Sequence, residues 1–328
     1  MSIPEFDGRI DLFEIFDDGF DRFKFPAEIY RVTSGHGGES FLIVGSGKTA
    51  LYDCGMAYCA DQTVRNIVQK LEELAASGRI RSIHLDYILL SHSHYDHMGA
   101  LPQILDRFPD AVVCGSRKCQ SVLRRENARK LIAELGTDAR NLYTPQSTVP
   151  IRTDHLRVDR ALEDGDVILL GKERITAYET KGHTDCSLSF LLEPVGILFT
   201  SESTGILEGR DYVHTPCLKS FPDSLRSAER CENLSYNYIC LPHFGMLPQY
   251  FNEKYFQMFR QECHSKMDFV RSMMEEGLDR QEMLQRYIQR YWTPAKEKEQ
   301  PKEAFEINSK HILNALIRAV EEGDHNHV

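Results

Sequence analysis

Two apolar rhythms divide this chain. Up to about residue 250 the apolar positions form short β-rich runs, with a few helical stripes between them; beyond it helical spacing takes over. Residues 40–44 and 49–53 are strand-like and are separated by Gly45-Ser46-Gly47-Lys48, a hairpin pattern. Residues 61–78 read as an amphipathic helix, with Val64, Ile67, Val68, Leu71 and Leu74 on one face and Gly78 as its stop. A strand at 87–90, a helix at 100–108 closed by Pro109, and a strand at 111–114 follow. Residues 117–136 are rich in charge and carry Val122, Leu131, Ile132 and Leu135 partly in helical phase, which predicts one helix. The stretch 137–160 keeps no period and contains Pro145 and Pro150; it is expected to be an inserted connection with short strands.

A second β-rich block comprises 166–170, 174–180, 187–192 and 196–200, and 238–241 is the last short apolar run. Three amphipathic helical segments follow. The first carries Tyr255, Phe259, Val270, Met273 and Met274 and stops at Gly277. Asp279 and Glu282 then form a capping-box pattern ahead of Met283, Leu284, Tyr287, Ile288, Tyr291 and Trp292. A charged, proline-containing link over 295–302 leads to the third, patterned by Phe305, Ile312, Leu313, Leu316 and Val320.

The length, 328 residues, fits one large domain with an appendage or two modest ones. Hydrophobic residues at 41% and charged residues at 27% match an ordinary globular protein. A net charge of −10 gives a general nucleic-acid role no electrostatic support. The nine cysteines include no C-x-x-C pair and read as reduced thiols rather than a disulfide framework. Residues 1–21 hold Pro4 and seven carboxylates, unlike a secretory signal, and no apolar run approaches a bilayer span. A cytoplasmic protein without membrane contact is expected.

The strand at 87–90 runs directly into His92-Ser93-His94-Tyr95-Asp96-His97. In extended backbone His92 and His94 project to one side, and Asp96 and His97 follow where the chain turns towards a helix. Imidazole and carboxylate together suit a divalent transition metal such as zinc, iron or manganese. Three further candidates stand just after strands: His183, Glu202 and His243. A single histidine at a strand end is more often exposed or hydrogen-bonded than a ligand, so it is the recurrence of strand, ligand and turn that counts. Asp53 at the end of its strand suits the cap of a helix or turn.

In four motifs the chain resembles the metallo-β-lactamase superfamily of metal-dependent hydrolases: His92-x-His94-x-Asp96-His97, Gly182-His183-Thr184, Leu198-Phe199-Thr200-Ser201-Glu202 and Leu241-Pro242-His243-Phe244-Gly245. The resemblance covers roughly residues 28 to 250. It implies an α/β fold, an αββα sandwich over residues 1–250 with a helical insertion at about 117–150, and a C-terminal helical extension over 251–328 that covers the domain. It further implies two divalent transition-metal ions, zinc with iron or manganese as alternatives. His92, His94 and His183 would hold the first, and Asp96, His97 and His243 the second. The family's usual bridging aspartate is here Glu202, whose extra methylene alters the bridge, and the resemblance gives Asp53 a second reading beside the cap, that of orienting a ligand.

The implied activity is hydrolysis of an ester, thioester, lactone or related bond in a small organic substrate by a metal-activated water, with Asp96 as the catalytic carboxylate. Alternatives on the same fold are a catalytically weak metal-binding sensor or interaction protein, or a phosphodiesterase branch. The helical tail resembles that of bacterial thioesterases and lactonases, in which extra helices cover the active-site mouth. The aromatic residues Tyr287, Tyr291 and Trp292 therefore have two expected places, the core or dimer contact on one side and an apolar wall of the substrate pocket on the other. The expected partners are a small-molecule substrate and a second copy bound through the C-terminal helices, with no nucleic acid and no membrane.

Overall fold

The computed structural model describes residue 26 and residues 28–209, 211–293, 296 and 302–325. The acidic stretch at 1–21, and all of the 295–302 link but Lys296 and Lys302, lie outside these residues. The first sheet contains β1 (Ile29–Arg31), β2 (Phe41–Val44), β3 (Thr49–Tyr52), β4 (Tyr87–Leu89), β5 (Val112–Ser116) and β6 (Arg160–Leu162), side by side in that order. β1 to β3 are antiparallel and β3 to β6 parallel. Next in the chain come β7 (Val167–Leu169), β8 (Arg174–Glu179), β9 (Leu188–Glu193), β10 (Ile197–Phe199), the hairpin β11 (Ile206–Gly209) and β12 (Tyr212–His214), then β13 (Tyr238–Leu241) and β14 (Gly245–Met246). The second sheet has the order β14-β13-β10-β9-β8-β7, with only β10 and β13 parallel.

The strands are apolar throughout because both faces of each sheet are covered. In β2, Phe41 and Ile43 point into the layer between the sheets, whereas Leu42 and Val44 pack outwards against helices. In β10, Ile197 and Phe199 face inwards and Leu198 outwards. Helices α1 (Ala60–Ala76), α2 (Tyr95–Met98) and α3 (Leu101–Arg107) cover the first sheet, burying Ile67, Leu71, Met98 and Ile104. The expected α/β architecture, an αββα sandwich with C-terminal helices, is the observed one.

The single helix expected over 117–136 is two, α4 (Arg117–Leu123) and α5 (Glu126–Tyr143), parted at Arg124 and Arg125. The cause is a phase conflict. Cys119 and Leu123 are buried, and so are Ile132, Gly136 and Ala139. Leu123 and Ile132 lie nine positions apart, about half a turn out of phase, so no straight helix buries both. α5 also runs through the first part of the stretch expected to be irregular.

The second sheet is covered by α6 (Phe221–Glu232), α7 (Tyr255–Glu275), α8 (Arg280–Tyr291) and α9 (Lys302–His325). Tyr255, Phe259, Met273, Tyr287 and Leu316 share one core with Leu198, Ile239 and Leu241 of the sheet. The capping box at Asp279 and Glu282 is formed, with each side chain accepting from the other's backbone N–H. Among the described residues no helix is long and apolar enough to cross a membrane.

Candidate metal centre

β3, β4, β8, β10 and β13 all deliver their C-terminal ends to one edge of the sandwich, and each is followed by a chemically active side chain. β3 leads to Asp53, β4 to His92 and His94, β8 to His183, β10 to Glu202 and β13 to His243. Backbone bonds tie these loops across the layers: Leu188 N–H donates to Ser91 O at 2.8 Å and Glu39 N–H to Pro242 O at 2.8 Å. Tyr52 Oη donates to Thr200 O at 3.1 Å. Gly182, ahead of His183, has φ +135°, and a Cβ there would lie 2.0 Å from Ser224 Oγ, so this turn requires glycine.

All seven residues singled out in the sequence converge here. Donor atoms of His92, His94, His183 and Glu202 lie within 4.8 Å of one another, as do those of Asp96, His97, Glu202 and His243. Glu202 belongs to both sets. Its Oε1 is 3.4 Å from His92 Nε2, 3.0 Å from His97 Nε2 and 3.5 Å from His243 Nε2, while Oε2 is 3.5 Å from His183 Nε2. Asp96 Oδ2 lies 3.4 Å from His97 Nε2 and 3.6 Å from His243 Nε2.

The outer nitrogens of His92, His97 and His183 are anchored, which fixes what their inner ones present. Asp53, buried and at φ +47°, accepts from Ser91 N–H at 2.8 Å and from Ser91 Oγ at 2.7 Å. With its proton on Asp53, Ser91 Oγ accepts from His92 Nδ1 at 2.9 Å, leaving His92 Nε2 as a bare lone pair. That atom is buried and has no hydrogen-bond partner. Asp53 also takes His97 Nδ1–H at 2.9 Å, and Pro216 O takes His183 Nδ1–H at 2.5 Å. The inner His183 Nε2 faces His94 Nδ1 at 3.0 Å. Asp53 thus orients ligand-type rings. Ser91 and the Pro216 carbonyl complete the anchoring, and neither carried a sequence signal beyond its place next to a candidate.

Burial, reinforced by the neighbouring imidazoles, pulls His92 well below its ordinary range and His94 down to about 4, so both are neutral donors. For His97 burial acts downwards too, but Asp96, Asp53 and Glu202 outweigh it and hold the ring well above its ordinary value. Burial would raise Glu202, yet His183, His243 and His97 pull it well below the usual carboxylate range. The orphaned, lone-pair-bearing nitrogen of His92, beside neutral His94 and ionised Glu202, is a donor set that fits divalent metal.

A cavity of about 940 Å³ opens on this edge. Ser93 and His94 contribute to it, α4 lines it with Lys118 and Val122, the break between α4 and α5 with Arg125 and α5 with Glu126 and Leu131, and Thr184 and Lys219 stand on other loops. Among the described residues its lining takes nothing from beyond residue 250. Tyr287 and Tyr291 are instead buried in the core with α7, and Trp292 packs on Phe305 at 5.1 Å. Of the two places expected for these aromatics, the structure gives the core.

Two sheets sandwiched between helices, with a histidine–carboxylate cluster where their strand ends meet, make up an αββα protein with a candidate metal-binding centre. The family model of the metallo-beta-lactamase superfamily matches residues 34–243, and the chain belongs to that superfamily. A metallo-beta-lactamase fold-containing protein of Sulfurisphaera tokodaii is 27% identical over 180 residues, 54% of this chain and 68% of that protein. Hydroxyacylglutathione hydrolase of Salmonella typhi is 24% identical over 177 residues, 51% of this chain and 57% of that protein, so the match spans little more than half of the relative. A solved HARLDQ-motif mutant of a metallo-beta-lactamase from Cronobacter sakazakii superposes with a TM-score of 0.54 at 18% identity, over 76% of this chain and 98% of that one. That likeness is one of fold.

Proposed function

We propose that the protein hydrolyses a thioester, or a closely related ester or lactone, of a small organic substrate at a centre of two divalent ions, zinc first and iron or manganese as alternatives. His92, His94 and His183 would hold one ion and Asp96, His97 and His243 the other, with Glu202 between them. The observation that carries this reading is the position of Glu202, which turns one oxygen to His183 and the other to His92, His97 and His243. The longer side chain still reaches both sets. The relative named hydroxyacylglutathione hydrolase, by its name a hydrolase of an acylated glutathione, favours an acyl group carried on sulfur.

When bound, the ions supply an activated water and polarise the carbonyl under attack. The chain's own groups do the rest. Asp96 is partly open to solvent and accepts a hydrogen bond from the attacking water, holds its proton and passes it to the leaving thiolate or alkoxide. Asp53, through Ser91, keeps His92 facing inwards and directly keeps His97 so. The test is a panel of esters, thioesters, lactones and phosphodiesters offered to protein loaded with zinc, manganese or iron. Turnover of an acyl substrate is expected, with loss of metal and rate in a His92→Ala, His94→Ala double variant. Turnover confined to phosphodiesters, or equal metal content in the variant, would reject the reading.

A further inference from the structure

The mouth of the metal centre has a charge opposite to that of the chain. Within a protein of net −10, residues 117–130 carry Arg117, Lys118, Arg124, Arg125, Arg129 and Lys130 against the single carboxylate of Glu126, a net of five positive charges. Some of this charge is spent locally: Arg117 pairs with Glu163, and Lys130 lies 3.9 Å from Glu134. Lys118 and Arg125 line the cavity beside His94, and Lys219 joins them from the loop before α6. Among the described residues these three side chains have no hydrogen bond or ion pair. Two carboxylates, Glu126 and Asp185, also line the cavity, so its wall keeps a positive excess.

Like charges gathered round a concavity repel one another and raise the local concentration of anions. They are stable together when an anion sits among them. The cavity, about 940 Å³, lies at the upper end of the roughly 300–1,000 Å³ typical of small-molecule sites and exceeds what a small acyl group needs. Apolar surface is on offer as well, since Val122 and Leu131 line it and Leu131 is 53% exposed.

We propose that this cavity binds the anionic, non-reacting part of the substrate: a thiol or alcohol carrier bearing phosphate or carboxylate groups, whose acyl bond it places over the metal ligands. This rests on the hydrolase reading above. Lys118 and Lys219 act as point charges and Arg125 as a two-pronged donor to the same anionic oxygens. Water adds across the acyl–sulfur or acyl–oxygen bond to give the free acid and the carrier, and the cations touch only the carrier.

The test compares metal-loaded wild type with a Lys118→Ala, Arg125→Ala, Lys219→Ala variant, all at exposed positions. Calorimetry measures binding of desulfo-coenzyme A, for phosphates, and of S-methylglutathione, for carboxylates. At least one should bind wild type, more weakly as salt is raised, and the variant should lose about tenfold or more in affinity. In turnover, an acyl group on the anionic carrier should exceed the same group on neutral N-acetylcysteamine about tenfold in kcat/KM, and the variant should lose that preference. Absence of binding by either probe, or equal binding by the variant, overturns the proposal. Salt-sensitive binding without turnover of any acyl compound would overturn the hydrolase reading and leave the anion site standing.

Discussion

Replacing Asp53 with alanine isolates the part of the site that no metal touches. The carboxylate accepts three hydrogen bonds, from Ser91 N–H, Ser91 Oγ–H and His97 Nδ1–H, at 2.8, 2.7 and 2.9 Å. Asp53, Ser91 and His97 are fully buried, so water cannot replace the lost acceptor. An unsatisfied buried donor costs about 1–3 kcal/mol. The three share one acceptor and are not additive, so the appropriate scale is the roughly 3–5 kcal/mol for breaking a buried charged pair. The left-handed backbone at φ +47° adds to the cost, because alanine tolerates it less well than aspartate does.

Against a domain stability of about 5–15 kcal/mol the variant still folds, with a clearly lower denaturant midpoint in the metal-free state. Its second effect is on metal. Without Asp53 neither Ser91 nor His97 is held, and through Ser91 the ring of His92 is freed, so affinity should fall about 10- to 100-fold in a competitive chelator titration. Asp53→Asn keeps one acceptor oxygen and a residue at ease in the left-handed region, and should fall between wild type and alanine in both assays. If Asp53→Ala unfolds within about 1 kcal/mol of wild type and binds metal within about twofold, the anchoring argument is wrong.

Three further outcomes follow from the same geometry. Glu202→Asp should retain metal with an altered ratio or preference, whereas Glu202→Ala should lose stoichiometry and activity; unchanged metal content in Glu202→Ala would remove Glu202 from the centre. Burial opposes but Asp96, Asp53 and Glu202 enforce protonation of His97 in the metal-free protein, and metal must displace that proton. Affinity should therefore rise with pH, by up to about tenfold per unit below the raised value and levelling above it, and a flat profile between about pH 6 and about pH 8 would contradict this. Tyr287→Ala should cost about 3–5 kcal/mol in urea unfolding with metal content intact, while Tyr287→Phe, which removes a buried hydroxyl without a partner, should stay within about 1 kcal/mol; equal losses in both would show that the hydroxyl matters.

What the sequence made legible follows from how local each signal was. His92 to His97 sit within six positions after an apolar strand, and strands buried on both faces announce themselves as unbroken apolar runs. α6 passed unnoticed because its buried stripe is Phe221, Ser224, Ser227, Ala228 and Cys231, mostly small or polar residues with little hydrophobic contrast. A signal for it was there: Ser220 caps Asp223 N–H, with Pro222 in the first turn. The short strands β1, β12 and β14 contain two or three residues each, below the length at which alternation is visible. The break at Arg124 depends on a core that α4 and α5 meet from different sides, and the cavity's cations come from two segments about ninety residues apart. Neither is written in any local pattern.

The sandwich also explains why the metal centre and the fold depend on one another. Each donor set takes side chains from both sheets: His92 and His94 follow β4 of the first, and His183 follows β8 of the second. Asp96 and His97 likewise follow β4, while Glu202 and His243 follow β10 and β13. Between the sheets the interior is apolar, and it holds them together without direction. The directional ties lie at its two ends: Gly47 and Lys48 N–H donate to Leu170 O at the far end, and Tyr52 to Thr200, Leu188 to Ser91 and Glu39 to Pro242 join the sheets at this edge. An ion held by either set spans the sheets at that same edge, so its binding energy stabilises the closed sandwich as well as the site. The anchored rings make the reverse true. Asp53 on the first sheet and the Pro216 carbonyl beside β12 must already be in place for His97 and His183 to present their inner nitrogens, so the packing of the sheets sets the metal affinity.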